Sequence, residues 1–152
     1  MPTTRRSRTI EAPPGELWRT VSDPHHLPRW WPRVTRVEDV RDDEFTEVML
    51  TARGKVVRAD FRIVRRDGGG RGIVWEQLVD GTPFARVLGA AETEITLEPA
   101  SDGTVVTIEL RQTLSAREAR SRMVPRLGSF MVARAAAATL DEALDGLERI
   151  GG

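Results

Sequence analysis

The spacing of apolar and polar residues divides the chain into a short mixed beginning, a long strand-like middle and a strongly helical end. Residues 4–11 alternate as in a strand. Residues 14–22 follow with apolar side chains at helical spacing, and they open on a proline, which the first turn of a helix tolerates. Residues 25–31 form a second helical segment that Pro32 closes. The pattern therefore predicts one strand followed by two short helices.

Six further strands are predicted in the middle of the chain, where Val, Ile, Thr and Phe are frequent and partly alternate with polar residues. They cover residues 34–40, 44–53, 55–66, 72–79, 84–98 and 104–114. Short turns rich in Gly, Asp and Pro separate them. Strands joined by such short turns pair antiparallel, because parallel neighbours need long crossovers.

A long amphipathic helix is predicted over residues 126–150, which include an alanine run and are followed by two glycines. Its apolar stripe consists of Phe130, Ala133, Ala137, Leu140, Leu144 and Leu147. The helix would be about 36 Å long. One helix does not fill the inner face of a curved seven-stranded sheet. We therefore expect a single α+β domain over residues 1–152, with a cavity between sheet and helix.

Composition excludes several classes of function. The chain has no Cys and two adjacent His residues, so thiolate metal sites, cysteine nucleophiles and disulfides are excluded. Its 23 basic and 23 acidic residues cancel, whereas nucleic-acid binders usually carry a basic surplus. No segment approaches the roughly 20 apolar residues of a membrane span, and the N-terminus lacks the apolar core of a signal peptide. We expect a cytoplasmic protein without a nucleic-acid partner or membrane span, and the absence of Asn and Tyr indicates a GC-rich bacterial source.

Three segments carry a family resemblance. Residues 10–18 are a strand that ends in a small-Pro turn and enters a helix, residues 22–32 combine Asp-Pro, Trp and Pro, and residues 97–104 form a turn between the last two strands. In their order and spacing they resemble the START/Bet v 1-like (SRPBCC) superfamily, in its polyketide cyclase/dehydrase-like branch. The resemblance implies a helix-grip fold, in which a seven-stranded curved antiparallel sheet surrounds the long C-terminal helix in the order β-α-α-β6-α.

The same resemblance implies several alternative functions. Members of the superfamily include aromatic cyclases, carriers of lipids and other hydrophobic ligands, quinone-binding proteins and hormone receptors. It also includes subunits of ring-hydroxylating oxygenases, but this chain lacks the residues for their iron and iron–sulfur centres. We therefore expect neither a metal nor a cofactor.

The candidate ligand-binding residues are aromatic and polar side chains with a route into the expected cavity. They are Trp31, Phe61, Trp75, Gln77, Phe84, Phe130 and Arg134. Aromatic rings stack on ligands but also build cores, and of Trp30 and Trp31 we expect one to face inward. Gln77 shares the alternating face of Trp75, so its amide would need a partner inside an apolar cavity. Arg134 either lies along the solvated face of the helix or meets a carboxylate or phenolate of the ligand.

Catalysis has only weak candidates in the sequence. His25 or His26 would act as a general acid or base at the cavity mouth, or would simply be a polar residue beside a helix. As adjacent residues they do not face one metal ion. Three glutamates, Glu92, Glu94 and Glu98, alternate with apolar residues and are expected on the outer face.

The sequence favours the binding of a small hydrophobic or aromatic molecule by a monomer or homodimer. Two alternatives stay open. One is a cofactor-independent polyketide aromatase/cyclase that uses His25 or His26 with Arg134 and Gln77. The other is a protein-interaction or quinone-chaperone module of the same superfamily. Residues 115–125 are expected at the cavity entrance.

Overall fold

In the computed structural model, a curved antiparallel sheet packs against a long C-terminal helix. The structure describes residues 3–51, 53–86, 88–115 and 125–151, the last of these with side chains from Ala135 onward. The strands of this part are β1 (Thr3–Ile10), β2 (Val34–Arg41), β3 (Glu44–Leu50), β4 (Val56–Arg66), β5 (Gly72–Gln77), β6 (Leu88–Ala100) and β7 (Gly103–Leu114). They form one sheet in the order β1-β7-β6-β5-β4-β3-β2. The predicted helix-grip fold is confirmed.

The helices fall where the sequence predicts them, except for one 3₁₀ turn that precedes β6. They are α1 (Pro14–Val21), a 3₁₀ turn (Pro24–His26), α2 (Leu27–Trp30), a second 3₁₀ turn (Pro83–Arg86) and α3 (Pro125–Gly151). Pro14 is the first residue of α1. A main-chain N–H at this position has no hydrogen-bond acceptor within the helix, so its absence in proline is tolerated. None of the helices in the described ranges is long and apolar enough to cross a bilayer.

The prediction of a strand over residues 84–98 is wrong at its beginning, because the observed strand starts later. β6 starts at Leu88, and Phe84 lies in the second 3₁₀ turn. The Thr82 hydroxyl donates to the Val79 carbonyl at 2.5 Å, so local turn hydrogen bonds take the place of a strand ladder here. Phe84 consequently leaves the sheet and belongs to a connecting segment.

The strand predicted over residues 44–53 ends earlier, at Leu50. Thr51 donates its N–H to the Lys55 carbonyl at 2.9 Å, which closes the turn between β3 and β4. Residues 116–124, which belong to the segment expected at the cavity entrance, lie outside the described residues.

The core lies between the inner face of the sheet and the helices. Three predicted stripe residues of α3, Leu140, Leu144 and Leu147, are fully buried. One turn earlier, Ala136 is buried and the predicted Ala137 only half-buried, so the buried stripe is rotated slightly from its predicted position. Phe130 and Ala133 precede the described side chains.

Paired charges cover the outer face of the sheet. Glu92 and Glu94 point away from the core, as predicted, and Arg111 on β7 bonds to both, with 3.0 Å between Arg111 Nη1 and Glu94 Oε1. Arg65 also reaches Glu94, at 2.7 Å. The opposite parity carries the buried residues Thr93, Ile95 and Leu97. β6 thus separates an ionic outer face from a mainly apolar inner face.

Candidate ligand-binding site

A cavity of about 470 Å³ lies between the inner face of the sheet and α3. This volume falls within the range of roughly 300–1,000 Å³ that small-molecule sites usually occupy. The lining residues are mostly apolar: Trp31, Glu47, Met49, Phe61, Trp75, Gln77, Phe84, Leu88, Ala91, Thr93, Leu110, Gln112, Leu114, Ala135, Ala136 and Thr139. They come from β3 to β7, from the segments that follow α2 and β5, and from α3.

Aromatic rings build one wall of the cavity in a continuous series of contacts. Phe61 stacks on Phe45 with 5.3 Å between ring centroids. Phe45 meets Trp75 edge-on at 6.1 Å, and Trp75 meets Trp31 edge-on at the same distance. Trp31 in turn contacts Trp30 at 5.3 Å. Because each ring is held by the next, this wall is pre-formed.

The two adjacent tryptophans have different positions. Trp30 is 2% exposed and belongs to the core, whereas Trp31 lines the cavity. α2 ends at Trp30, and the backbone of Trp31 is extended, so the two side chains diverge. α3 approaches α2 closely at this point because Gly146 has no side chain. A Cβ atom at Gly146 would overlap the Trp30 main chain. The helix crossing therefore fixes Trp31 at the cavity wall.

Gln77 brings a polar group into this apolar space. It faces Phe61 across the β4–β5 pair and lines the cavity. Its Nε2 atom is buried and has no hydrogen-bond partner within the described residues. Leaving such a donor unpaired costs about 1–3 kcal/mol, so a ligand oxygen or a water would stabilise it.

Glu47 is the only titratable residue that lines the cavity in the part of the chain described. β3 alternates, so Phe45, Glu47 and Met49 all turn inward, and Glu47 is 3% exposed. Its carboxyl group has no hydrogen bond or ion pair with any described residue. Burial raises the pKa of Glu47 to about 8. The carboxyl is therefore mainly protonated at neutral pH.

The two histidines lie outside the cavity lining. His25 Nδ1 is 2.8 Å from an Asp23 carboxylate oxygen, and the Asp23 carboxylate also accepts the His25 main-chain N–H at 3.0 Å. Although burial alone would raise it, these hydrogen bonds hold the pKa of Asp23 below its usual value. His26 Nδ1 is 3.1 Å from an Arg29 guanidinium nitrogen. Both histidine rings therefore contact polar neighbours in a short helical segment that the Asp23 carboxylate caps.

A protein-family model described as "Polyketide cyclase / dehydrase and lipid transport" matches residues 1–150. The chain belongs to this family. The resemblance drawn from the three sequence segments is confirmed. A search of curated protein sequences finds no match.

Solved structures similar to this polyketide cyclase/dehydrase family member share its fold. The di-domain ARO/CYC StfQ from the steffimycin biosynthetic pathway superposes with a TM-score of 0.79 at 15% identity, over 99% of this chain and 50% of StfQ. A START superfamily protein from Mycobacterium smegmatis gives 0.74 at 16% identity, over 98% of this chain and 96% of that one. The di-domain ARO/CYC BexL gives 0.77 at 21% identity, over 98% and 46%. The chain spans about half the length of the two di-domain proteins.

The predicted ligand-binding residues largely converge in this family member. Five of them, Trp31, Phe61, Trp75, Gln77 and Phe84, line the cavity. Phe130 and Arg134 lie outside the described side chains. That these residues contact a ligand stays a prediction. Sequence analysis does not single out Glu47, although its alternation with Phe45 and Met49 is a signal that places it on the inner face.

Proposed function

We propose that this protein binds a small, mainly apolar or aromatic molecule in the cavity between the sheet and α3. The observation that carries the proposal is the aromatic-walled cavity of about 470 Å³, into which Gln77 places an amide without a described partner. A solid core would not leave this space.

The driving force for such binding is the burial of apolar surface. Removing apolar surface from water contributes about 25 cal/mol per Å². The rings of Trp31, Phe61 and Trp75 offer flat surfaces on which an aromatic ligand stacks at favourable offsets. The few polar side chains then determine its orientation.

Displacement of a fluorescent dye, 1-anilinonaphthalene-8-sulfonate, by lipids, quinones and polyketide-like aromatics tests this function. Two matched variants of α3 locate the site. Ala136→Phe places a ring in the cavity, whereas Ala138→Phe places the same ring on the exposed side of the helix. We expect Ala136→Phe to weaken dye binding at least about tenfold and Ala138→Phe to bind like the wild type. Circular dichroism verifies that both variants are folded. Equal binding by the two, or no binding by the wild type, contradicts the proposal.

A second function, cofactor-independent cyclisation of a poly-β-ketone, is favoured by Glu47. General acid–base catalysis works best with a group whose pKa lies near the operating pH, and burial raises the pKa of Glu47 to about 8. Glu47 lines the cavity, whereas His25 and His26 do not, which supports Glu47 as the acid or base of this reaction. If the protein turns over such a substrate, Glu47→Gln should abolish turnover and a His25→Ala/His26→Ala double variant should retain it. The opposite pattern contradicts this assignment.

A further inference from the structure

Glu47 differs from the other carboxylates on the sheet by facing inward without a described partner. On the outer face, Glu76 pairs with Arg62, and Glu94 bonds to both Arg65 and Arg111. Glu47 has the opposite parity, lies inside the cavity and bonds to no described residue. A carboxyl buried without a partner destabilises the fold. Its place in the cavity therefore points to a ligand group that it contacts.

Among the described residues, the surroundings of Glu47 contain no charge that would compete with a ligand. Ala59 is opposite Glu47 in the β3–β4 register, and its methyl group leaves space beside the carboxyl. α3 contributes Ala135, Ala136 and Thr139 to the lining, β6 and β7 contribute apolar, Thr and Gln side chains, and none of these described residues titrates. The Thr139 hydroxyl already donates to the Ala135 carbonyl at 3.1 Å. The described lining next to Glu47 is thus mainly apolar and carries no other charge.

Glu47 and Gln77 place two buried hydrogen-bond donors at this space, which the Gln112 amide and the Thr93 hydroxyl also line. Burial raises the pKa of Glu47 to about 8, so at neutral pH its carboxyl carries an O–H. The Gln77 Nε2 donor is buried and lacks a described acceptor. Glu47 pairs with Ala59 on β4, and Gln77 pairs with Phe61, two residues further along the same strand. Gln77 therefore lies two strands across the sheet and two residues along it from Glu47, so about 12 Å separate their Cα atoms. Two unpaired donors at this spacing are complementary to a ligand with acceptor oxygens on an apolar body.

We propose that the carboxylic acid of Glu47 donates a hydrogen bond to a carbonyl oxygen of a neutral, mainly apolar ligand, and that the Gln77 amide binds a second acceptor on the same molecule. This inference rests on the proposed ligand-binding function and adds its specificity. A cationic amine is the competing ligand class for a buried carboxyl. Gln77 disfavours it, because its unpaired N–H donors need an acceptor, and burial of an ion pair carries a large desolvation penalty.

Three ligands with one naphthalene skeleton separate these possibilities. 2-Acetylnaphthalene carries a ketone, 2-ethylnaphthalene has no polar group, and 1-(2-naphthyl)ethylamine carries a cation. Binding is followed by the fluorescence of Trp31 and Trp75, which line the cavity. Each ligand is titrated at pH 6.5 and pH 9.5 into the wild type, Glu47→Gln, which keeps a donor but does not ionise, and Glu47→Met, which has no donor and a similar shape.

The wild type should bind the ketone about tenfold more tightly than the hydrocarbon at pH 6.5, the ratio expected for one buried hydrogen bond. At pH 9.5 this preference should vanish, because the carboxylate has no proton to donate. Glu47→Gln should keep the preference at both pH values. Glu47→Met should lose it at both and bind the hydrocarbon like the wild type. If Glu47→Met does not fold, the pH dependence of the wild type against Glu47→Gln decides.

Four results would count against the inference. If hydrocarbon and ketone bind equally to the wild type at pH 6.5, the role of Glu47 is wrong and the binding function stands. If the amine binds most tightly, the cavity selects a cation instead. A ketone preference that survives in Glu47→Met assigns recognition to another group. If none of the three ligands nor the dye binds, the proposed function itself fails, and the inference fails with it.

Discussion

Gly146 lies directly against the main chain of Trp30 where α3 crosses α2, with no room for a Cβ atom between them. This contact allows α3 to approach closely enough for Leu147 to be fully buried. It also positions Trp31, the next residue in the chain, in the cavity wall. Gly146, which has no side chain and does not line the cavity, thus determines part of the shape of the cavity.

We therefore expect Gly146→Ala to lower the free energy of unfolding. Alanine favours a helix over glycine by about 1 kcal/mol, but overlap with the Trp30 main chain forces the helices apart, and such overpacking costs about 1–3 kcal/mol or more. The matched control is Gly15→Ala in α1, where a Cβ meets no atom within 4 Å. This control should be neutral or slightly stabilising in urea denaturation. A Gly146→Ala variant as stable as the control would contradict the packing described for α2 and α3.

Glu47 should make the stability of the unliganded protein depend on pH. In the folded state its pKa is about 8, and in the unfolded state it returns to about 4.5. Between these values the unfolded chain has lost the proton that the folded chain keeps, so stability falls as pH rises from about 4.5 to 8 and then levels off. Each pKa unit of the shift corresponds to about 1.4 kcal/mol, which gives a total of a few kcal/mol.

Urea denaturation at pH 5, 7 and 9 of the wild type and Glu47→Gln measures this effect. The variant should become more stable relative to the wild type as pH rises, because it has no proton to lose. Glu98→Gln, on the exposed outer parity of β6, is the control and should follow the wild type. Parallel pH profiles for the wild type and Glu47→Gln would show that the Glu47 carboxyl is solvated or paired.

A buried hydroxyl on β7 forms a hydrogen bond with the main chain just before α1. Thr104 donates to the Ala12 carbonyl at 2.7 Å, and both residues are buried. Thr104→Val keeps the shape but removes the donor, which should lower stability by about 1–3 kcal/mol because the carbonyl loses its partner. Thr107→Val provides the comparison, since the Thr107 hydroxyl pairs with Ser7 at an exposed site. An equal effect of the two substitutions in urea denaturation would rule out a special role for the buried bond.

Ligand binding should be visible mainly through two of the four tryptophans. Trp31 and Trp75 line the cavity, whereas Trp18 and Trp30 do not. With 1-anilinonaphthalene-8-sulfonate as probe, a Trp31→Phe/Trp75→Phe double variant should lose more than half of the change in tryptophan emission that dye binding causes in the wild type. Trp18→Phe should leave that change intact. Loss of the signal in Trp18→Phe alone would place the dye outside the cavity.

The inner and outer faces of the strands were accessible to sequence reasoning because alternation is a local property of the chain. The alternation that places Glu92 and Glu94 outside places Thr93 inside, and Gln77 follows Trp75 into the cavity. Glu47 obeys this rule as well. Its unpaired state, however, depends on which groups other elements bring near it, and no local pattern contains that information.

Phe84 shows a different limit. Its apolar character is compatible with a strand, but the Thr82 hydroxyl bond to Val79 closes a turn, and β6 begins only at Leu88. Phe84 still reaches the cavity, from a connecting segment instead of the sheet. The choice between Trp30 and Trp31 likewise depends on the crossing of two distant helices at Gly146. Contacts of that kind are set by tertiary packing and not by periodicity.

The pairing of β1 with β7 also has a consequence for how the protein is made. The Ser7 and Thr107 hydroxyls meet at 2.8 Å although 100 residues separate them in the chain. At synthesis rates of roughly 5–20 residues per second, the ribosome adds β7 about 5–20 s after β1. During that time β1 is an unpaired strand, and charged side chains discourage such strands from aggregating. β1 carries three such side chains, Arg5, Arg6 and Arg8, and in the folded protein Arg6 and Arg8 form ion pairs with α3.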